Sequence, residues 1–313
     1  VELRLRFTSK PLKNAAGDEG RALPTINDAI TEGTALLESS AIDQPYRAAG
    51  VILQQVLGVD RTYLITRPEE EVPPEKREAY LRLVERRAAG EPIQYLTGRQ
   101  EFYGLDFIVN HDVLIPRPET EHLVEQVIKL SRARGRLQHS DRELIVDVGT
   151  GSGCIAVSIA VNLPHAELIA IDVSGPALAV ARANAERHGV AARIQFIEGD
   201  LLVPLEDRSL EGSIDFIASN PPYVPDSQFQ QLQREIRHHE PQVALLGGPD
   251  GLEFYRRLLD QSSSLLAPDG CLIFEIGFSQ LDSIRELINS SDLHLEEVST
   301  DLQGIPRTLT LTA

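Results

Sequence analysis

Asn220-Pro221-Pro222-Tyr223 joins a side-chain amide, two prolines and an aromatic in four consecutive positions. An amide oxygen beside a peptide carbonyl can accept both hydrogens of an –NH2 group. Proline donates no competing N–H and fixes its own φ, which holds the Pro221 carbonyl stiffly beside Asn220. Tyr223 adds a flat cover for a planar, nitrogen-bearing group. Such acceptors would aim the nitrogen at an electrophile and favour pyramidal geometry as it attacks. No dedicated general base stands out, and Glu119 is a candidate charge-tuning group. Taken alone, the tetrapeptide also reads as a stiff turn in which Asn220 bonds to local backbone.

A second constellation lies upstream. Leu144-Ile145-Val146-Asp147-Val148 runs into Gly149-Thr150-Gly151-Ser152-Gly153, with a helical pattern after it. Glycines there permit a sharp turn, close backbone approach to a ligand and exposed helix N-terminal amides. The run is D-V-G-T-G-S-G rather than G-x-G-x-x-G, and Asp147 would sit poorly beside a pyrophosphate. A carboxylate at that place suits the amino end of an amino-acid-bearing cofactor, directly or through water. Asp172 ends the next expected strand, where an acid can receive two ribose hydroxyls. Asp200 follows the strand after that and is placed to meet an adenine amino group. Each acid alone has a plain reading as a helix cap or loop acid. Together they fit S-adenosyl-L-methionine better than a dinucleotide, and no metal is expected.

These residues need a frame. Strand-like runs at 143–148, 167–172, 194–198, 214–219, 270–276, 293–299 and 307–312 alternate with helical patterns at 153–162, 176–188, 251–265 and 279–289. Thr120 is placed to cap another helix, from Glu121 to about Ser131. The alternation predicts an α/β fold, a seven-stranded, doubly wound, mostly parallel Rossmann-like sheet with a terminal antiparallel hairpin. Residues 1–23 have no clear period and are expected to be a loose arm. Residues 24–97 read as a small helical bundle, with Asp43-Gln44-Pro45 as one helix start and Gly90 as a stop. Residues 98–119, including Glu101–Val109 and Val113-Leu114-Ile115, read as a β-hairpin linker, and 120–313 as the catalytic domain.

The 313 residues are enough for two domains. No run of eighteen apolar residues occurs, so no membrane span is expected. The first residues lack a secretory signal pattern, and Cys154 and Cys271 sit in apolar segments, which argues against a disulfide framework. A cytoplasmic setting follows from these features. The formal charge of −17 divides into −2 for residues 1–97 and −15 for residues 98–313. Tight nucleic-acid binding needs a surplus of phosphate-facing Lys and Arg, which the larger domain lacks. An acidic face suits a basic protein partner instead, or simply keeps the chain soluble.

Glu91-Pro92-Ile93-Gln94-Tyr95-Leu96-Thr97-Gly98, Phe102-Tyr103-Gly104, Ile115-Pro116-Arg117-Pro118-Glu119-Thr120, Asp147 through Gly153, Asn220 through Tyr223 and Gly304-Ile305-Pro306-Arg307 together carry a resemblance. The chain resembles the class I S-adenosylmethionine-dependent methyltransferases and, among them, the peptide-chain release factor N5-glutamine methyltransferase family. The resemblance covers nearly all of the chain after the arm. It implies methylation of the glutamine amide in the Gly-Gly-Gln loop of release factors, with S-adenosyl-L-homocysteine as product. It implies that Asn220 and Pro221 hold the amide, with Pro222 and Tyr223 completing the catalytic slot. Cofactor contacts are implied for Gly149, Thr150, Gly151 and Asp172, with Thr120, Asp147, Asp200 and Asn220 beside them. The helical bundle at 24–97 is implied as the substrate-recognition domain. Arg117 is implied as a support of the active-site loop on the substrate side, a simple inter-domain salt bridge being the plainer reading. Phe278, after Glu275-Ile276-Gly277, stands where some relatives are more polar. The tetrapeptide also occurs in enzymes that methylate the amino group of adenine, so an adenine N6-methyltransferase on DNA or RNA is the alternative.

Overall fold

The computed structural model describes residues 23–134, 142–206 and 208–313. The arm expected at 1–23 lies, apart from Leu23, outside the described residues. The chain divides into two compact units, Val1–Ala88 and Ala89–Ala313.

The first unit holds α1 (Ile26–Ser39), α2 (Pro45–Leu57), α3 (Arg61–Thr66) and α4 (Pro74–Ala88). Thr25 starts α1 with a reciprocal capping box, accepting from the Asp28 amide while the Asp28 carboxylate accepts from the Thr25 amide. The start of α2 differs from expectation. Gln44, in a left-handed conformation with φ 48°, is the residue before the helix, and no side chain caps it. Pro45 in the first turn has already removed one of the amides a cap would serve. Ile26, Ala29, Leu37, Ile52, Leu53, Tyr80 and Val84 are all buried and supply the core.

The second unit opens with α5 (Ile93–Thr97), which the sequence grouped with the preceding helices. A hairpin follows, β1 (Arg99–Phe102) and β2 (Leu105–Ile108). Its two turn residues, Tyr103 and Gly104, both have positive φ, as a tight twisted hairpin requires. Asn184 holds the hairpin by accepting from the Ile108 amide and donating to the Ile108 carbonyl. Val113-Leu114-Ile115, expected as a further β run, joins no sheet. Side chains bond its backbone instead: Tyr95 donates to the Val113 carbonyl, and the Ile115 amide donates to Glu240.

The rest is the expected sandwich. After α6 (Glu121–Ala133) come β3 (Glu143–Val148), α7 (Cys154–Asn162), β4 (Ala166–Asp172), α8 (Gly175–Arg187), β5 (Ile194–Glu198) and β6 (Ile214–Ser219). Then follow α9 (Arg234–His239), α10 (Glu253–Ser262), β7 (Leu266–Glu275), α11 (Leu281–Ile288), β8 (His294–Thr300) and β9 (Pro306–Thr312). The seven strands lie in the order β5-β4-β3-β6-β7-β9-β8, parallel except where β9 runs against β7 and β8. Successive residues feed opposite cores: Ile145, Phe216 and Ile273 pack on one face, and Val146, Ile217 and Leu272 on the other. Burial on both faces is why these strands read as continuous apolar runs. Strand order reverses between β3 and β6, which opens a crevice at their carboxyl ends. Among the described residues no helix is long and apolar enough to cross a membrane.

Candidate functional site

The glycine turn after β3 and the tetrapeptide after β6 meet at that crevice. The parallel register sets Val148 opposite Ser219, and the Ser219 hydroxyl donates to the Val148 carbonyl at 2.8 Å. The turn itself needs its glycines. Gly151 has φ 54° and Gly153 φ 80°, and a Cβ on Gly153 would stand 3.0 Å from the Ala181 Cβ, so α7 and α8 pack there without room for a side chain.

A cleft lies over this switch point. Gly149, Gly151, Asp172, Asp200, Asn220, Pro221 and Pro222 all line it, so the structure brings together seven of the residues singled out in the sequence. A Cβ on Gly149 would meet nothing, which leaves that side of the turn open. Asp172 accepts from the Gly151 amide at 2.8 Å and the Ser174 amide at 2.9 Å. Burial raises its pKa, and those backbone donors pull it back. Asp200 is engaged by Arg257 at 2.6 Å. Val173, Leu201, Val243 and Phe254 supply apolar walls, with Val173 and Val243 each 55% exposed inside the cleft. A carboxylate rim, an open glycine backbone and apolar walls fit a nucleoside with a polar tail.

Thr120, Asp147, Thr150, Tyr223 and Arg117 stand outside the lining. Asp147 is fully buried beneath the glycine turn. Its Oδ2 accepts from the Thr150 hydroxyl at 2.6 Å and the Ala156 amide at 3.0 Å, while Oδ1 has no partner among the described residues. Burial pushes its pKa up to about 7 against those two donors, with Asp172 adding to the rise. Asp147 and Thr150 therefore brace the turn from below. Tyr223 packs toward Gly277, where an added Cβ would lie 2.9 Å from the ring, and its carbonyl accepts from Gln280 at 3.1 Å. Burial pushes its hydroxyl pKa well up.

Thr120 does not cap α6 as its position suggested. It has helical φ and ψ, and no side-chain cap bond is made. Its hydroxyl instead donates to the buried Glu275 carboxylate at 2.6 Å and accepts from Asn220 Nδ2 at 2.9 Å. Which way an amide points follows from its bonding network, and this one turns Asn220 Oδ1 away from Thr120. Arg117 pairs with the buried Glu240 at 2.6 Å, and Glu240 also accepts from the Ile115 amide. Both residues lie in the second unit, so this is an ion pair within that unit and not the inter-domain bridge of the plainer reading.

Sequence reasoning missed Glu275, Glu240 and Arg257. Glu275 left a signal: a lone carboxylate at the end of the apolar run Cys271-Leu272-Ile273-Phe274. Glu240 and Arg257 left none: Glu240 follows the polar run Arg237-His238-His239, and Arg257 is one of several charged residues on the helix Glu253–Ser262, whose sequence does not say what they face.

Two family models match the chain. Residues 28–98 match the PrmC N-terminal domain and residues 134–243 match the methyltransferase small domain. The chain is 40% identical over 283 residues to a release factor glutamine methyltransferase of Koribacter versatilis, covering 90% of this chain and 96% of that protein. It is also 40% identical over 284 residues to a protein of the same name from Moorella thermoacetica, again covering 90% and 96%. Among solved structures it is similar to a release factor-specific protein-(glutamine-N5) methyltransferase from Alicyclobacillus acidocaldarius. That match has 30% identity and a TM-score of 0.39, and covers 66% of this chain and 98% of that one.

Proposed function

We infer what this chain does from one premise: it belongs to the release factor glutamine methyltransferase family. It transfers a methyl group to the side-chain amide nitrogen of the glutamine in the Gly-Gly-Gln loop of peptide-chain release factors. The donor is S-adenosyl-L-methionine, which supplies a methyl already activated by its sulfonium. Gly149 and Gly151 let backbone approach the donor, Asp172 receives its ribose, and the Val173, Leu201 and Phe254 walls take its base. Asp147 and Thr150 hold the turn that does this. A cytoplasmic setting goes with the two free, buried cysteines.

At the acceptor end, the Asn220 oxygen and the Pro221 carbonyl each accept one N–H of the glutamine amide. A resting amide nitrogen is a poor nucleophile, because its lone pair is spread into the carbonyl. Two acceptors that hold both hydrogens out of that plane localise the lone pair and aim it along the line of transfer. Pro222 and Tyr223 keep the slot stiff. The methyl's bond to sulfur breaks as its bond to nitrogen forms, S-adenosyl-L-homocysteine is the leaving group, and one amide proton passes to water as or after the methyl arrives.

The observation that carries the acceptor assignment is the Asn220 amide: with Nδ2 bound to Thr120, its oxygen is left to accept. The same slot suits the amino group of adenine. Family membership and the net charge of −15 over residues 98–313 favour a protein acceptor. The test is label transfer from methyl-labelled S-adenosyl-L-methionine to an intact release factor, compared with one whose loop glutamine is alanine. Labelling of the first alone is expected. Equal labelling of both would overturn the acceptor.

A further inference from the structure

We propose that Glu275, acting through Thr120, is the positioning residue that keeps the Asn220 amide turned with its oxygen toward the acceptor. The proposal rests on the reading that Asn220 receives an amide –NH2. A threonine hydroxyl has one hydrogen. In Thr120 that hydrogen goes to Glu275 Oε2 at 2.6 Å, so toward Asn220 the oxygen can only accept. It does so from Nδ2 at 2.9 Å, and Oδ1 is thereby committed to the other side.

Protonation of Glu275 reverses the chain. A carboxylic acid would donate to Thr120, and the freed hydroxyl hydrogen would turn to Asn220. Asn220 would then present its oxygen to Thr120 and its –NH2 to the acceptor. Two –NH2 groups facing one another share no hydrogen bond, and the lone pair loses its aim. The relay therefore makes acceptor alignment depend on one buried proton.

The surroundings put that proton near neutrality. Glu275 is buried at the end of β7, and burial pushes its pKa up to about 7. The Thr120 bond lowers it, Glu119 raises it, and Arg307 and Arg117 lower it. Those groups face it from β9 and from the turn before α6. Tyr223, Tyr255 and Cys154 also sense its charge, and the Tyr255 hydroxyl donates to the Glu275 main-chain carbonyl at 3.1 Å. Asp147, the other carboxyl raised to about 7, lies in β3 and accepts from Thr150 and Ala156 of the glycine turn and α7.

The test uses the full chain and an intact release factor in single-turnover methyl transfer, with affinity for S-adenosyl-L-homocysteine measured by calorimetry. Thr120→Val should cut the transfer rate by about 10- to 100-fold while the product's Kd stays within about twofold. Thr120→Ser, which keeps the hydroxyl, should return most of the rate. The wild-type rate should fall as pH drops below about 7, and Glu275→Gln should lose that limb because nothing there titrates. A wild-type rate in Thr120→Val, or the same limb persisting in Glu275→Gln, overturns the relay. Should Thr120→Val fail to fold, the wild-type and Glu275→Gln profiles decide alone. Absence of any transfer by the wild type would instead sink the functional reading on which the relay stands.

Discussion

Asn220 and Asp147 show how differently two polar residues of one site act. Asn220 lines the cleft, and on the proposed reading it meets the acceptor mainly during transfer, so Asn220→Ala should lower the turnover of bound complex by about 100-fold. Donor affinity should change little, and a variant that lost only donor binding would contradict this role. Asp147 acts on stability. Its carboxyl has an ordinary value of 3.8 and a folded value of about 7, so the folded chain holds the proton more tightly. Its contribution is whole below about pH 4 and is lost as pH rises to about 7. Asp250, bonded to Arg256 and lowered to about 2, works oppositely, but only as pH falls from about 4 toward 2. Ligand-free protein should therefore lose stability between about pH 4 and pH 7, with buried Glu275 adding to the loss, and Asp147→Asn should reduce that slope to the part Glu275 leaves. Melting across the window checks it, with a Tm difference of a few degrees expected. An unchanged slope in the variant would refute it. The glycine turn, Asp172 and the tetrapeptide were legible in the sequence because each is a local pattern at a strand end. The Thr120–Glu275 bond was not, because its partners lie 155 positions apart and only the closed sheet brings them together.

At the scale of elements, packing decides what pattern leaves open. Strands β3 and β6 were legible as apolar runs because both their faces are covered. Residues 113–115 have the same texture yet form no strand, since Tyr95 and Glu240 satisfy their backbone before any neighbouring strand can. Helix α9, Arg-Glu-Ile-Arg-His-His, carries no apolar period to announce it. In the helical unit the informative residue is Gly33. A Cβ there would fall 1.9 Å from the Tyr80 hydroxyl oxygen, which is buried and without a partner among the described residues. Gly33→Ala should cost about 1–3 kcal/mol by overpacking. Tyr80→Phe in the same chain should recover part of that loss, because it removes the nearest clashing atom. Denaturant unfolding of the single and double variants measures the coupling, and strict additivity would refute the contact.

At the scale of the whole molecule, charge constrains the company this chain keeps. It carries 30 Lys and Arg against 47 Asp and Glu. A chain with that balance is expected to release few counterions on a DNA duplex, the step on which sequence-independent binding depends. A labelled DNA duplex should show no saturable binding at about 150 mM salt, and a steep salt-dependent affinity would reopen the adenine reading. The crevice adds a constraint of another kind. The glycine turn and the tetrapeptide, proposed as donor turn and acceptor slot, extend from adjacent parallel strands, tied at Val148 and Ser219. Neighbouring strands keep a spacing of about 4.8 Å wherever they pair. On that assignment the gap a methyl must cross is gauged by the hydrogen-bond ladder of the sheet. Loops around it can be rewritten for a new acceptor while that gauge stays as it is.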